Sequence, residues 1–297
     1  MIEGTTPLWP FITRFLEVST ILLLAAMGEL LTQRSGVINV GIEGLMLAGG
    51  ASAFLTAQLY GPLAGFVVGT FVGTLLGLFH SFLSVSMRVN QIISGMGVWL
   101  FAVGFVTYWA DRYTGPLRYS IPRINGLSPA LFIALGSLIV IWYVLSYTHF
   151  GLKIRSVGEN PAAAEASGVN VEKIRYLCTT IGGSLGGFAG AVLLLSYLGA
   201  WSHLPTKGLG WLAFGLVMFS LWRPGILLAG ALSFGFVWQF GISPETIYPG
   251  FPAPLPVNRM MPFLLTIIIL TIISTERFRR RWALLKPEAL GQPYIKE

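Results

Sequence analysis

Long apolar stretches alternate with short polar ones along most of this chain. Nine stretches, roughly 15–33, 41–59, 62–86, 91–110, 129–149, 176–199, 209–222, 225–241 and 259–275, read as candidate membrane spans. A helix rising about 1.5 Å per residue needs about 20 residues to cross a hydrocarbon core of about 30 Å. The pattern therefore predicts an all-α fold: a polytopic membrane helix bundle of about nine spans, including broken or half helices, forming one transmembrane domain over residues 1–297. The seventh stretch is short and bears glycine, so it is the candidate half-helix. No cleavable signal peptide is expected, because the N-terminus lacks a basic region and Glu17 interrupts the first apolar run.

One polar island stands between the fifth and sixth stretches, in the loop 150–175. It reads Gly151-Leu-Lys-Ile-Arg-Ser-Val-Gly-Glu-Asn-Pro-Ala-Ala-Ala-Glu-Ala-Ser-Gly-Val-Asn170. Asn160 is a good N-cap, since its side-chain oxygen can accept from first-turn amides. Pro161 suits the first helical position, Ala162, Ala163 and Ala164 favour helix, and Gly168 is a natural stop. The island is either an ordinary connection or a surface presented to a partner.

Composition supports the membrane assignment: 54% of residues are hydrophobic and only 10% are charged, against about 25% charged in soluble domains. The net charge of +7 fits basic cytoplasmic loops better than nucleic-acid binding. Placing the 150–175 loop inside puts Arg34, Arg88, Lys153, Arg155, Lys173, Arg175, Arg223 and the basic tail 276–297 (Arg277, Arg279, Arg280, Arg281, Lys286, Lys296) on the same side. Arg14, Arg112, Arg118, Arg123, Lys207 and Arg259 then fall outside. This places the N-terminus outside and the C-terminus in the cytoplasm. An outer loop over 242–258 carries Pro244, Pro249, Pro252, Pro254 and Pro256, which favours extended, stiff backbone. It is read either as a dock for an external partner or as a simple bridge.

Two glycine rows predict tight helix packing. Gly61, Gly65, Gly69, Gly73 and Gly77 recur every fourth residue, and Gly182, Gly186 and Gly190 repeat the pattern. Such rows let a neighbouring backbone approach closely. In Arg34-Ser-Gly-Val-Ile-Asn-Val-Gly-Ile-Glu-Gly44, glycines flank Asn39 and Glu43. This predicts a broken helix, because irregular backbone at membrane depth must be buried in protein or line a cavity. The alternative is an interfacial turn with Glu43 in water.

Glu17, Glu29 and Glu43 are the acids in or near the first two spans. A charge at the membrane centre costs about 2.5–3.5 kcal/mol on insertion scales, so each should face protein or water. Arg14 is placed to pair with Glu17 on one helix face. Asn90 and Gln91 open the fourth span and either line a pathway or bond between helices. Cys178 is the only cysteine, and His80, His149 and His203 are scattered, so no metal site is expected. No P-loop, nucleophile-elbow or zincin pattern is present, which argues against catalysis by this chain.

The segments RSGVINVGIEGLMLAGG (34–50), NQIISGMGV (90–98), GLKIRSVGENPAAAEASGVNV (151–171) and MMPFLLTIIIL (260–270) resemble inner-membrane permeases of the branched-chain amino acid/simple-sugar class of ABC importers. Within that class they are most similar to the shorter permease of nucleoside uptake systems. The resemblance implies that the island is a coupling helix seated in an ATPase subunit, carried by Gly151, Arg155, Gly158, Asn160, Pro161, Ala162, Ala163 and Gly168. On that basis a bulky residue at Gly158 or Ala163 should abolish ATPase association without disturbing folding. It also supports Asn39 and Glu43, with Asn90 and Gln91, as translocation-path candidates.

The implied partners are a cytoplasmic ABC ATPase, a second homologous permease and an extracytoplasmic substrate-binding lipoprotein, in a prokaryotic plasma membrane. No cofactor is expected in this chain, with ATP and magnesium bound by the ATPase. The segment Thr206-Lys207-Gly208-Leu209-Gly210-Trp211 departs from the Gly-Arg-Gly that relatives often carry there. The alternatives are a simple-sugar (ribose-like) permease, or an H⁺-coupled transporter using Glu17, Glu29 or Glu43.

Overall fold

In the computed structural model, residues 8–110, 113, 115–247, 260–273, 275 and 285–294 are described. Arg112, Arg259, the tail arginines 277–281, Lys296 and Pro249, Pro252, Pro254 and Pro256 of the outer loop lie outside them. The chain runs through α1 (Leu8–Arg34), α2 (Ile42–Tyr60), α3 (Pro62–Ser81), α4 (Gln91–Ala110), α5 (Pro129–Tyr147), α6 (His149–Glu159), α7 (Pro161–Ala166), α8 (Val171–Val192), α9 (Leu209–Phe219), α10 (Pro224–Ile242) and α11 (Met261–Ile273). α3 and α8 each continue into a π-helical turn, Phe82–Ser86 and Leu193–Leu198. Gly115–Pro116 (β1) and Ala200–Trp201 (β2) form a short antiparallel pair between two loops.

Among the described residues, seven helices are long and apolar enough to cross a membrane: α1, α2, α3, α4, α5, α8 and α10. The other two of the nine expected spans are shorter helices. α9 has 11 residues and α11 has 13, so α9 reaches only about 16 Å. The 150–175 loop is also more regular than expected. Thr148 caps α6, Asn160 caps α7 and Asn170 caps α8, accepting from the amides of Gly151, Ala163 and Lys173 at 3.0, 3.0 and 2.8 Å. Three caps in about 22 residues turn one loop into two short helices and the first turns of α8.

α8 is the hub of the packing, lying against α1, α2 and α3. The reason is glycine on several of its faces. A Cβ on Gly73 would sit 2.5 Å from the Gly187 Cα, and one on Gly183 would sit 2.7 Å from the Gly77 Cα. No side chain fits such a seam. Gly28 of α1 meets Gly182, and Gly49 and Gly50 of α2 meet Gly187 and Gly190. These α1 and α2 partners were not legible as a row, because they do not recur at fixed spacing. Gly61 leaves the expected α3 row: its φ of +88° makes it the hinge between α2 and α3, with nothing near its Cβ position. α3, α4 and α5 turn faces of exposed apolar residues outward, among them Leu63, Val67, Phe101 and Ile139.

Candidate functional site

α1 and α2 are separated by residues 35–41, which are non-helical and largely buried. Backbone polar groups there need partners, and neighbouring helices supply them. Ile38 N–H donates to Gln91 Oε1 at 2.7 Å, and its carbonyl oxygen accepts from His80 Nε2 at 2.9 Å. Asn39 N–H donates to Glu29 Oε1 at 3.2 Å, and Asn39 Oδ1 accepts from Gly41 N at 3.0 Å. Gly95 of α4 gives the break room: a Cβ there would lie 2.9 Å from the amide nitrogens of Val40 and Gly41. Two buried atoms, Glu29 Oε2 and Asn39 Nδ2, have no protein hydrogen-bond partner.

A second discontinuity meets the first. Residues 199–208 lead into α9, whose first helical residue is Leu209. Glu43, in the first turn of α2, accepts from Gly208 N at 2.9 Å and Gly210 N at 2.6 Å. Its carboxylate thus caps a helix N-terminus, where amides are free and the dipole favours negative charge. Glu43 is 5% exposed, which excludes the interfacial turn in water. Its depth follows from its neighbours. Ile42 and Leu45 pack on Gly186, about 22 Å along the roughly 42 Å of α8 and its continuation. The starts of α2 and of the short helix α9 therefore lie side by side, level with the middle of α8.

A cavity of about 740 Å³ opens at the end of the bundle opposite α6 and α7 and reaches Leu209. Phe11, Tyr197, Trp238 and Phe263 give it aromatic walls, and Arg14, Lys207, Gln239, Ser243 and Thr246 add polar groups. Tyr197 Oη donates to Gln239 Oε1 at 3.1 Å. A charged frame stands beside it. Arg123 pairs with the buried Glu17 at 2.8 Å, and the expected Arg14 partner lies farther away at 3.6 Å. Arg14 and Arg123 also donate to the carbonyls of Tyr197 and Ser196 at 2.6 and 3.0 Å. Two cations thus cover carbonyl groups at the end of the π-helical turn that continues α8.

At the other end, α6 and α7 lie across the ends of the long helices. Ala164 is the buried anchor of α7, while Asn160, Ala162, Ala163, Ala166, Ser167 and Gly168 face outward. Residues 285–294 fold back over this end. Ala289 N donates to the carbonyl of Gly158 at 2.9 Å, and Gly291 N to that of Gly36 at 3.1 Å. The carbonyl of Gln292 accepts from Arg175 Nη1 at 3.0 Å. Tyr294 Oη donates to a carboxylate oxygen of Glu165 on α7.

A profile of the family described as "Branched-chain amino acid transport system / permease component" matches residues 11–270. The chain belongs to this permease family. The permease is 35% identical over 95% of its length to a Haloferax volcanii protein named "Putative glucose ABC transporter permease protein", of which it covers 96%. It is 31% identical to a guanosine ABC transporter permease of Bacillus subtilis, covering 93% of each chain. It is 30% identical to a nucleoside ABC transporter permease of Lactococcus lactis subsp. cremoris, covering 96% of each. Among solved structures it resembles "An inward-facing conformation of a putative metal-chelate type ABC transporter", with a TM-score of 0.52 and 17% identity. That match covers 88% of this chain and 84% of that one, a likeness of fold alone.

Within the permease, the sequence candidates divide. Asn39, Glu43 and Gln91 converge on the paired breaks. Asn90 does not: it is exposed and caps α4, accepting from Ile92 N at 3.0 Å and Ile93 N at 3.2 Å. Asn160, Pro161, Ala162, Ala163 and Gly168 form the outward α7 turn. Gly151 and Gly158 are buried packing positions, since a Cβ would strike the Val144 carbonyl and the Arg34 carbonyl respectively. A bulky residue at Gly158 would therefore disturb the bundle itself, so Ala163 is the clean position. Arg155 lies half-buried beside Arg34, lining a second cavity. Tyr197, Trp238 and Gln239 went unnoticed because each sits singly in an apolar run, without a repeating pattern.

Proposed function

We propose that this chain is the membrane-spanning subunit of an ATP-driven importer for nucleosides. The solute enters the aromatic cavity from the extracytoplasmic side, delivered by a binding lipoprotein. It then passes the paired helix breaks beside Asn39 and Glu43. The single observation that carries this reading is the cavity ending at the start of a half-helix, in a chain of this permease family. Flat aromatic rings with the Gln239 amide and the hydroxyls of Tyr197, Ser243 and Thr246 suit a molecule that combines a planar base with a polyol. The glucose-permease relative supports a second reading, a simple sugar, whose apolar ring face also stacks on aromatic groups.

In this reading α7 is the coupling helix, seated in a cytoplasmic ATPase that binds ATP and magnesium, and a second homologous permease completes the path. The N-terminus is then extracytoplasmic and the C-terminus cytoplasmic. Its support is the charge asymmetry of the loops and the outward, small-residue surface of α7.

The test is uptake of labelled guanosine and labelled glucose by cells carrying the whole transporter. Guanosine uptake should fall at least tenfold with Ala163→Trp, while the purified variant keeps its unfolding midpoint. Trp238→Ala should lower uptake but leave ATPase association intact. Glucose transport without guanosine transport would favour the sugar reading. Uptake by this chain alone, driven by a pH gradient, would overturn the ATP-driven one.

A further inference from the structure

A second cavity, of about 430 Å³, lies at the α6–α7 end of the bundle, between α1, α5, α6 and α10. Arg34, Arg155 and Arg223 line it, together with Trp142, Ser146 and Gly225. No carboxylate is among its lining residues. Glu159 is the acid within electrostatic reach of Arg34, whereas Arg155 and Arg223 repel it. Among the described residues, three guanidinium groups line the cavity and no carboxylate does.

The chain holds one of these cations, Arg34, in place. Arg34 Nε and Nη2 donate to the carbonyl of Trp222 at 3.2 and 2.8 Å. Trp222 is itself fully buried, with its indole N–H bonded to Gln33 Oε1 at 2.7 Å. Leu221 and Trp222 both have positive φ, +55° and +53°, an unfavourable backbone for residues with side chains. That turn delivers the Trp222 carbonyl to Arg34 and starts α10 at Pro224. No side chain caps α10, so its first amides and the positive end of its dipole stand at the cavity wall. Arg155 Nε is buried without a hydrogen-bond partner. The uncapped start of α10 and the unpartnered Arg155 Nε suit a bound anion with several acceptor oxygens.

The surroundings indicate where the anion comes from. Trp142, Tyr143 and Tyr147 of α5 are 45%, 56% and 66% exposed, and Ile226 of α10 is 41% exposed. Exposed aromatic rings near a helix end are typical of the headgroup level of a bilayer. Basic pockets between membrane helices bind anionic headgroups, and arginine forks match phosphate oxygens.

We propose that this cavity binds the phosphate of an anionic phospholipid, whose acyl chains run along α5 and α10. This inference rests on the membrane fold and is independent of which solute is carried.

The experiment measures the thermal unfolding midpoint and lipid retention of the full-length chain in nanodiscs. The bilayers are phosphatidylcholine alone, or phosphatidylcholine with one-third phosphatidylglycerol. Phosphatidylglycerol should raise the midpoint and survive delipidation with at least tenfold enrichment over phosphatidylcholine. Both effects should be lost in R155Q/R223Q, and R223K should show partial loss. Inorganic phosphate added to phosphatidylcholine nanodiscs should not reproduce them. Full protection by inorganic phosphate would assign the site to a free anion and overturn the lipid source. Equal behaviour in the two bilayers, or enrichment kept by R155Q/R223Q, would overturn the site. Should the double variant fail to fold, the exposed R223Q alone decides, with loss expected and full retention overturning the proposal.

Discussion

Glu43 shows how a single side chain that reads as a translocation-path or proton-coupling candidate can be engaged by the backbone. Both of its carboxylate oxygens accept amide hydrogens from the start of α9. Removing them leaves the buried Gly210 N–H unmet, at about 1–3 kcal/mol, and the half-buried Gly208 N–H without its acceptor. Glu43→Ala should therefore lower the unfolding midpoint of the purified permease clearly, and Glu43→Gln, which keeps one acceptor oxygen, should lower it less. A midpoint unchanged by Glu43→Ala would show that α9 does not depend on this cap. Glu17 makes a similar point. The (i, i+3) spacing to Arg14 was legible in the sequence, but the shorter ion pair is to Arg123, more than a hundred residues away.

Glycine rows predicted tight packing on α3 and on α8, and the close backbone approach between the two helices accounts for them. Gly73→Ala should force the two helices apart, because its Cβ would lie 2.5 Å from the Gly187 Cα. Overpacking of this kind costs about 1–3 kcal/mol. Gly97→Ala on α4 has open space around it, and alanine is the better helix former. Its unfolding midpoint should stay level or rise, so the pair of variants separates packing from propensity. α9 belongs to the same scale. Its shortness was visible in the sequence, but its depth was not, since depth depends on what it meets.

For the molecule as a whole, the segment 285–294 joins parts that are distant in sequence. It bonds to Gly158 next to α7, to Gly36 in the helix break, and to Arg175 in α8. Deleting residues 285–297 should raise amide hydrogen exchange over 158–168 by at least tenfold, while the middle of α8 stays protected. Exchange in α7 that is unchanged by the deletion would show that α7 is held by its own contacts alone. The basic cavity and the aromatic cavity lie at opposite ends of the bundle. Their separation means that lipid binding and solute entry should respond independently to substitution.

By itself the sequence did not show the seven extra residues at the start of α1 or the helix α6, but it determined that this is a membrane helix bundle, roughly where its long helices lie, and how α7 is capped. Those properties follow from local rules: the length of apolar runs, the turn chemistry of Asn160, Pro161 and Gly168, and the spacing of small residues. It also marked 34–44 as a break, because closely spaced glycines weaken a helix just where Asn39 and Glu43 bring polar groups into an apolar setting. Only the tertiary structure decided what the polar groups do. Glu43 caps α9, Gln91 holds Ile38, Asn90 merely starts α4, and Gly158 packs under Arg34. In a low-dielectric interior each buried donor or acceptor must find a partner, and that partner is chosen by three-dimensional packing rather than by neighbours in the chain.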